Sequence, residues 1–140
     1  MAELRIVSPP VIAVLASADA IDALRAPSGA TLCRVAPREA LVVGDSELSA
    51  SDIVLDEPGA IVEDVTDGWA GFELTGDDAR EAFARLSELE LPGEGFVQGD
   101  VARIGAKVVA TTGRVTIVAP AMLGAFVEER IRTDCAELLA

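Results

Sequence analysis

The stretch AIVEDVTDGWAGFELTGDDAREAFARLSELEL, residues 60–91, decides the fold. Its first half reads as two strands, AIVEDVTD and WAGFELTG, with Asp67-Gly68 between them as a hairpin signal. Its second half changes period. Ala79, Ala82, Phe83, Leu86 and Leu89 fall at the spacing of one helix face, and Asp77 and Asp78 stand at the start, where carboxylates suit both the cap and the helix dipole. The order so far is strand, strand, helix.

Downstream, LPGEG stops the helix. FVQGDVARIG, AKVVATTG and RVTIVAP read as three further strands, with Thr112-Gly113 as a tight turn. Pro120 marks a helix start, and AMLGAFVEERIRTDCAELL carries Leu123, Phe126, Val127, Ile131 and Leu138 along one side. Upstream, LRIVS and VIAVLAS are strands around the Pro9-Pro10 break. SADAIDALRA is a short helix with Ser17 as N-cap. TLCRVAP and REALVVGD are strands, and SELSASDIVL holds a helical turn capped by Ser46 or Ser49.

This order lacks repeated βαβ crossovers in a chain too short for a doubly wound sheet. An antiparallel sheet with helices packed on one face, a ferredoxin-like α+β arrangement, is the simplest solution. At 140 residues the chain is read as a single domain, 1–140, and a domain of this size buries about 70% of its unfolded surface. Both halves run strand, helix, then two or more strands, so a weak internal duplication is one reading.

Composition removes several classes of function. The apolar fraction of 51% excludes wholesale disorder, and with aromatics at 4% and no tyrosine there is little with which to stack bases. A net charge of -13 repels a phosphate backbone, so nucleic acid is not an expected partner. No basic amphipathic stretch and no apolar run of about 18 residues is present. The N-terminal apolar run, Val11 to Ala16, is too short for a signal peptide. No membrane partner and a cytoplasmic location are the expectations.

The firmest negative is chemical. Without histidine, neither Ser/His/Asp nor Cys/His nucleophile systems can be built from this chain. Cys33 and Cys135 form no CxxC and read as packed thiols. Asp56-Glu57, Glu63-Asp64-Asp67 and Asp77-Asp78 lack the alternating ligands of a calcium loop and read as solvated carboxylates. The GxGxxxG of residues 93–99 follows a helix and precedes a strand, the reverse of a dinucleotide-binding turn. Gly44-Asp45-Ser46 at a strand-to-helix turn is a two-residue anion signal. Trp69 reads either as a core residue or, if exposed, as an interface anchor. No catalytic or metal-binding residue is expected, and no cofactor-binding residue is assigned.

Pro37, Glu39, Leu41, Val42 and Gly44 match a P-x-E-x-L-L-x-G strand. Asp64, Thr66, Leu74, Gly76 and Ala79 match a D-x-S…L-x-G-x-x-A unit, and a G-x-x-x-x-T-x-x-G-x-V passage follows. In this order, over about Ala20 to Ile131, the chain resembles the gamma subunit of heterotetrameric sarcosine oxidase, a family related to the glycine-cleavage T-protein, an aminomethyltransferase. It departs where the family often has a tryptophan, here Ala40, and a serine-histidine, here Thr66-Asp67. The resemblance implies the aminomethyltransferase folate-binding type of fold and an accessory subunit without cofactor. FAD, FMN, NAD and tetrahydrofolate are then expected on partner subunits, and larger flavoprotein subunits of an amine oxidase are the partners. Two other readings stand beside it. One is a stand-alone folate-binding one-carbon transfer domain using Asp64 or Asp67; the other is a homo-oligomeric scaffold.

Overall fold

Apolar and β-branched runs give the chain nine strands, and short periodic runs give it three helices. The computed structural model describes Met1–Ala140. In chain order its elements are β1 (Glu3–Val7), β2 (Val11–Leu15), α1 (Ala18–Ala23), β3 (Ala30–Ala36), β4 (Glu39–Gly44) and β5 (Ile61–Asp64). They continue with β6 (Trp69–Thr75), α2 (Ala79–Ala84), β7 (Gly95–Val101), β8 (Ile104–Thr111), β9 (Arg114–Pro120) and α3 (Gly124–Asp134). A 3-10 turn follows β4 at Ala50–Asp52, another precedes β6 at Thr66–Gly68, and a third, Ala121–Leu123, leads into α3. The fold is α+β with antiparallel sheets, as the element order requires. Where length suggests one domain, the chain is arranged as two compact units, Met1–Ser8 with Asp67–Ala140, and Pro9–Thr66.

The first unit is a five-stranded sheet in the order β1-β6-β9-β8-β7, antiparallel throughout. Strand periodicity puts Phe72 and Leu74 of β6 on the same face as Val115, Ile117 and Ala119 of β9, in the register Phe72↔Ile117 and Leu74↔Val115. That face carries both helices. Ala79, Ala82 and Phe83 of α2 and Val127 and Ile131 of α3 join it in one buried cluster. Removing a Phe or Ile side chain from water in this way contributes about 1.5–3 kcal/mol each. Gly76, which leaves β6 for α2, sits at φ 104, and a Cβ there would lie 2.5 Å from the Met1 carbonyl oxygen. Only glycine fits.

The second unit is a four-stranded antiparallel sheet, β3-β4-β2-β5. Ile12, Val14, Ala40 and Val42 face α1, whose Ile21 is its one buried residue, and Ile53 of the following loop completes the cluster. The opposite face is also largely buried at Val11, Cys33, Leu41 and Val43. Ser17 caps α1 as its sequence position suggests, accepting the Ala20 N–H at 3.2 Å. Ser49 and Asp52 form a reciprocal capping box at the 3-10 turn.

The duplication read from the sequence has a topological counterpart. In each unit a strand and a helix lead to a two-residue hairpin, Pro37-Arg38 or Thr112-Gly113, whose second strand returns antiparallel to the first. Here β2, α1, β3 and β4 correspond to β6, α2, β8 and β9. The outer neighbours, β5 and β1, correspond as well.

Three expectations need correction. Asp67-Gly68 is not a hairpin: it lies in the 3-10 turn, β5 pairs with β2, and β6 pairs with β1 and β9. The cause is local. Thr66 accepts the Val11 N–H on its hydroxyl oxygen at 3.0 Å, and Val65 N–H donates to the Val11 carbonyl at 2.9 Å, which ties the end of β5 to β2. Helix α2 stops at Ala84, short of Leu89. The Leu86 carbonyl takes the Ala102 N–H at 2.7 Å, and the Ser87 hydroxyl donates to the Asp100 carbonyl at 2.6 Å, drawing the chain to the β7–β8 turn. Phe126 is 46% exposed rather than on the buried side of α3. Gly124 lies against Ala70, and that close approach sets the buried stripe at Val127 and Ile131.

Candidate functional site

The residues that carry the family resemblance are structural. Pro37 sits in the β3–β4 hairpin, where its carbonyl accepts from Arg34 Nη2 at 2.6 Å. Leu41, Val42 and Leu74 are core, and Ala79 is buried at the first turn of α2. Asp64 and Thr66 form a tight polar turn, in which Thr66 N–H donates to Asp64 Oδ1 at 2.9 Å. Hydrogen bonds from the Thr66 hydroxyl and N–H hold the Asp64 carboxyl below its ordinary range. This aspartate has its acceptors engaged in folding the chain.

Three shallow recesses mark the surface. One of about 310 Å³, between the β3 entry and the loop after β4, is walled by Gly29, Gly44, Asp45, Ser46 and Asp52. The Gly44 N–H donates to the Pro10 carbonyl at 2.9 Å and the Asp45 N–H to the Gly29 carbonyl at 3.2 Å. These amides are therefore committed, and Asp45, Glu47 and Asp52 line the recess with negative charge. The anion reading of Gly44-Asp45-Ser46 does not hold in this geometry.

A second recess, about 510 Å³, lies at the end of β2 and β5, with Leu15, Ala16, Ser17, Arg38, Glu57 and Ile61 among its walls. Glu57 Oε2 accepts the Ser17 N–H at 2.9 Å. The Ser17 hydroxyl, then its N–H, and the Arg38 charge hold Glu57 ionised to lower pH than usual. The third, about 740 Å³, runs past the end of α2, with Arg85, Leu86, Ser87, Asp100 and Arg103 on its walls. Neither Asp64 nor Asp67 lines these three recesses.

Cys33 is fully buried, and the neighbouring Arg34 is bound to Asp22 and to the Ala18 and Pro37 carbonyls. Cys135 is buried with its thiol against the Ala82 carbonyl at 3.2 Å, and burial pushes its pKa up. The Cys135 environment favours the thiol over the nucleophilic thiolate. No three carboxylates or thiols converge as a metal-ligand group. Trp69 opens β6 opposite Pro120 and is half-buried, between the core and interface readings of its sequence position. No helix is long and apolar enough to cross a membrane.

Charge is distributed unevenly. Between Arg38 and Arg80 there is no lysine or arginine, while twelve carboxylates occur in that interval. This cation-free run is a signal legible in the sequence, and it covers β4, β5 and β6.

No protein-family model matches the sequence, and no curated protein matches it. Among solved structures, the fold is similar to a chain of the heterotetrameric sarcosine oxidase from Corynebacterium sp. U-96, solved in complex with pyrrole 2-carboxylate. The TM-score is 0.80 at 14% identity, over 97% of this chain and 84% of that one. The likeness is one of fold. Looser matches are E. coli aspartokinase III in complex with lysine and aspartate (TM-score 0.45, 14% identity, 93% of this chain and 32% of that one) and the ligand-free regulatory subunit of aspartate kinase from Thermus thermophilus (0.42, 10%, 94% and 96%). Scores at that level do not establish a common fold.

Proposed function

We propose that this chain is an accessory, non-catalytic subunit of a heteromeric flavin-dependent oxidase or dehydrogenase acting on sarcosine or a related N-methyl amine. The observation that carries the reading is the fold likeness, along nearly the whole of both chains, to one chain of a heterotetrameric sarcosine oxidase. The motif order of the sequence supports it independently. In this reading FAD, FMN, NAD and tetrahydrofolate belong to the larger cytoplasmic partner chains, and this subunit stabilises their assembly. Half-buried Trp69 is the proposed interface anchor.

Co-expression with candidate large flavoprotein subunits, followed by sizing, tests the proposal. Co-elution as one heteromer is expected. A chain that elutes apart from every such subunit overturns it.

A further inference from the structure

β5 ends the four-stranded sheet. It pairs with β2 through Leu15↔Ile61 and Ile12↔Asp64, and the ladder is anchored by the Val65 N–H on the Val11 carbonyl. In an antiparallel ladder alternate residues turn their backbone groups to the same side. Ile61 and Glu63 therefore serve β2, and Val62 and Asp64 turn their N–H and C=O groups outward. No backbone bond from a turn or loop reaches those groups.

Open edges of this kind are usually blunted by a very short strand, charged side chains, proline or a bulge. The opposite edge, β3, has an irregularity between Arg34 and Ala36, and β7 of the other unit has Gly95 and Gly99 at positive φ. β5, with the sequence IVED, has no proline, bulge or lysine; it is four residues long and both its charges are carboxylates. Instead it lies inside the cation-free run, with Glu63 and Asp64 exposed, Asp56 and Glu57 before it and Asp67 after it. Two copies laid edge to edge would bring Glu63 and Asp64 against like charges, which is destabilising. A strand bearing lysine or arginine meets the opposite sign. Beside this edge Ile61 and Leu15 are 51% and 44% exposed, and both line the recess of about 510 Å³.

We infer that β5 is a strand acceptor, which takes an extended segment of a partner subunit, with a basic residue opposite Glu63 and, two positions along on the same face, an apolar side chain seated beside Leu15 and Ile61. Main-chain bonds to Val62 and Asp64 supply affinity in such strand addition, and the flanking side chains supply selection. Only the source of the segment rests on the proposed function; its chemistry follows from the edge.

The test titrates the full chain with the acetylated, amidated hexapeptide Thr-Lys-Thr-Val-Thr-Lys, which carries its lysines and valine on one face, following amide hydrogen exchange. Protection of the Val62 and Asp64 amides by roughly tenfold or more is expected on strand addition. Glu63→Lys should abolish it and Glu94→Lys, an equal charge change elsewhere, should not. The same peptide with glutamate in place of both lysines should not bind. Absence of protection at Val62 and Asp64, or unchanged binding by Glu63→Lys, overturns the inference. Val62→Pro, which removes an outward N–H and leaves the β2 ladder its donors, is a second variant with circular dichroism as its folding check. Sizing with the flavoprotein subunits separates the two readings. Peptide binding without assembly sinks the proposed function and keeps the acceptor strand, whereas tight assembly by both variants sinks the acceptor strand alone.

Discussion

Strand, helix and a two-residue hairpin recur in both units, yet α1 brings only Ile21 to its sheet, while α2 brings Ala79, Ala82 and Phe83 and α3 adds Val127 and Ile131. The helix-side cluster of the first unit holds sixteen buried residues including Phe72 and Phe83; that of the second holds eight, none aromatic. Equal topology thus does not give equal core. Because hydrophobic stabilisation follows the apolar area removed from water, resistance to opening should concentrate in the first unit. The open edge β5 and both carboxyls with lowered pKa belong to the second. Less stable regions are where proteins commonly place surfaces that must rearrange on binding.

The largest expected effect breaks this difference. Phe83→Ala should cost about 3–5 kcal/mol, because the ring is fully buried between α2 and the sheet. Urea unfolding reads the total, and exchange at the β8 and β9 amides should rise to meet that of β2 and β4. A loss under about 1 kcal/mol would mean that the aromatic core is not what separates the units. Gly76→Ala comes next, at about 2–3 kcal/mol, because it combines a left-handed φ with a Cβ 2.5 Å from the Met1 oxygen. Its cost should fall on the first unit alone, as seen by exchange.

Thr66→Val sharpens the comparison from the other side. It strips the Val11 N–H of its acceptor and should destabilise the second unit by about 1–2 kcal/mol. It also removes a hydrogen bond that favours the ionised Asp64. A carboxyl with a lowered folded pKa contributes stability that is complete above the ordinary carboxylate range and is lost as pH falls through the folded value. Acid should therefore open the second unit first in the wild type, and the Thr66→Val chain, which keeps only the backbone N–H bond to Asp64, should lose part of this acid sensitivity. Equal acid response in the two would count against the assignment. Arg103→Gly is the smallest change and the only gain. Ala102 and Arg103 occupy φ 53 and 68 in the β7–β8 turn, and relieving the second should raise stability by about 1 kcal/mol. A thermal melt that fails to rise would show that the Arg103 side chain compensates for its backbone.

Most elements can be read directly from residue pattern. The alternation in TLCRVAP and RVTIVAP, Ser17 at the start of α1 and Gly113 in its turn each act over a few residues, and each appears where its neighbours require it. What local pattern misses is partnership. Asp67-Gly68 has hairpin chemistry, but the Thr66 hydroxyl commits β5 to Val11, fifty-five positions away in the chain. Helix α2 has periodicity through Leu89, but the Leu86 carbonyl is taken by Ala102. The candidate edge was equally hidden, since no motif marks a strand that lacks a neighbour. Its one local trace is the absence of lysine and arginine between Arg38 and Arg80.

The pairing of β1 with β6 has a consequence for biosynthesis. Ile6 finds Phe72 only after the whole of β2 to β5 has been made, so the LRIV segment must remain unpaired on the growing chain while the second unit, continuous in sequence, can already close. Connectivity thereby favours closing the continuous unit before the discontinuous one, whose first strand must wait for β6.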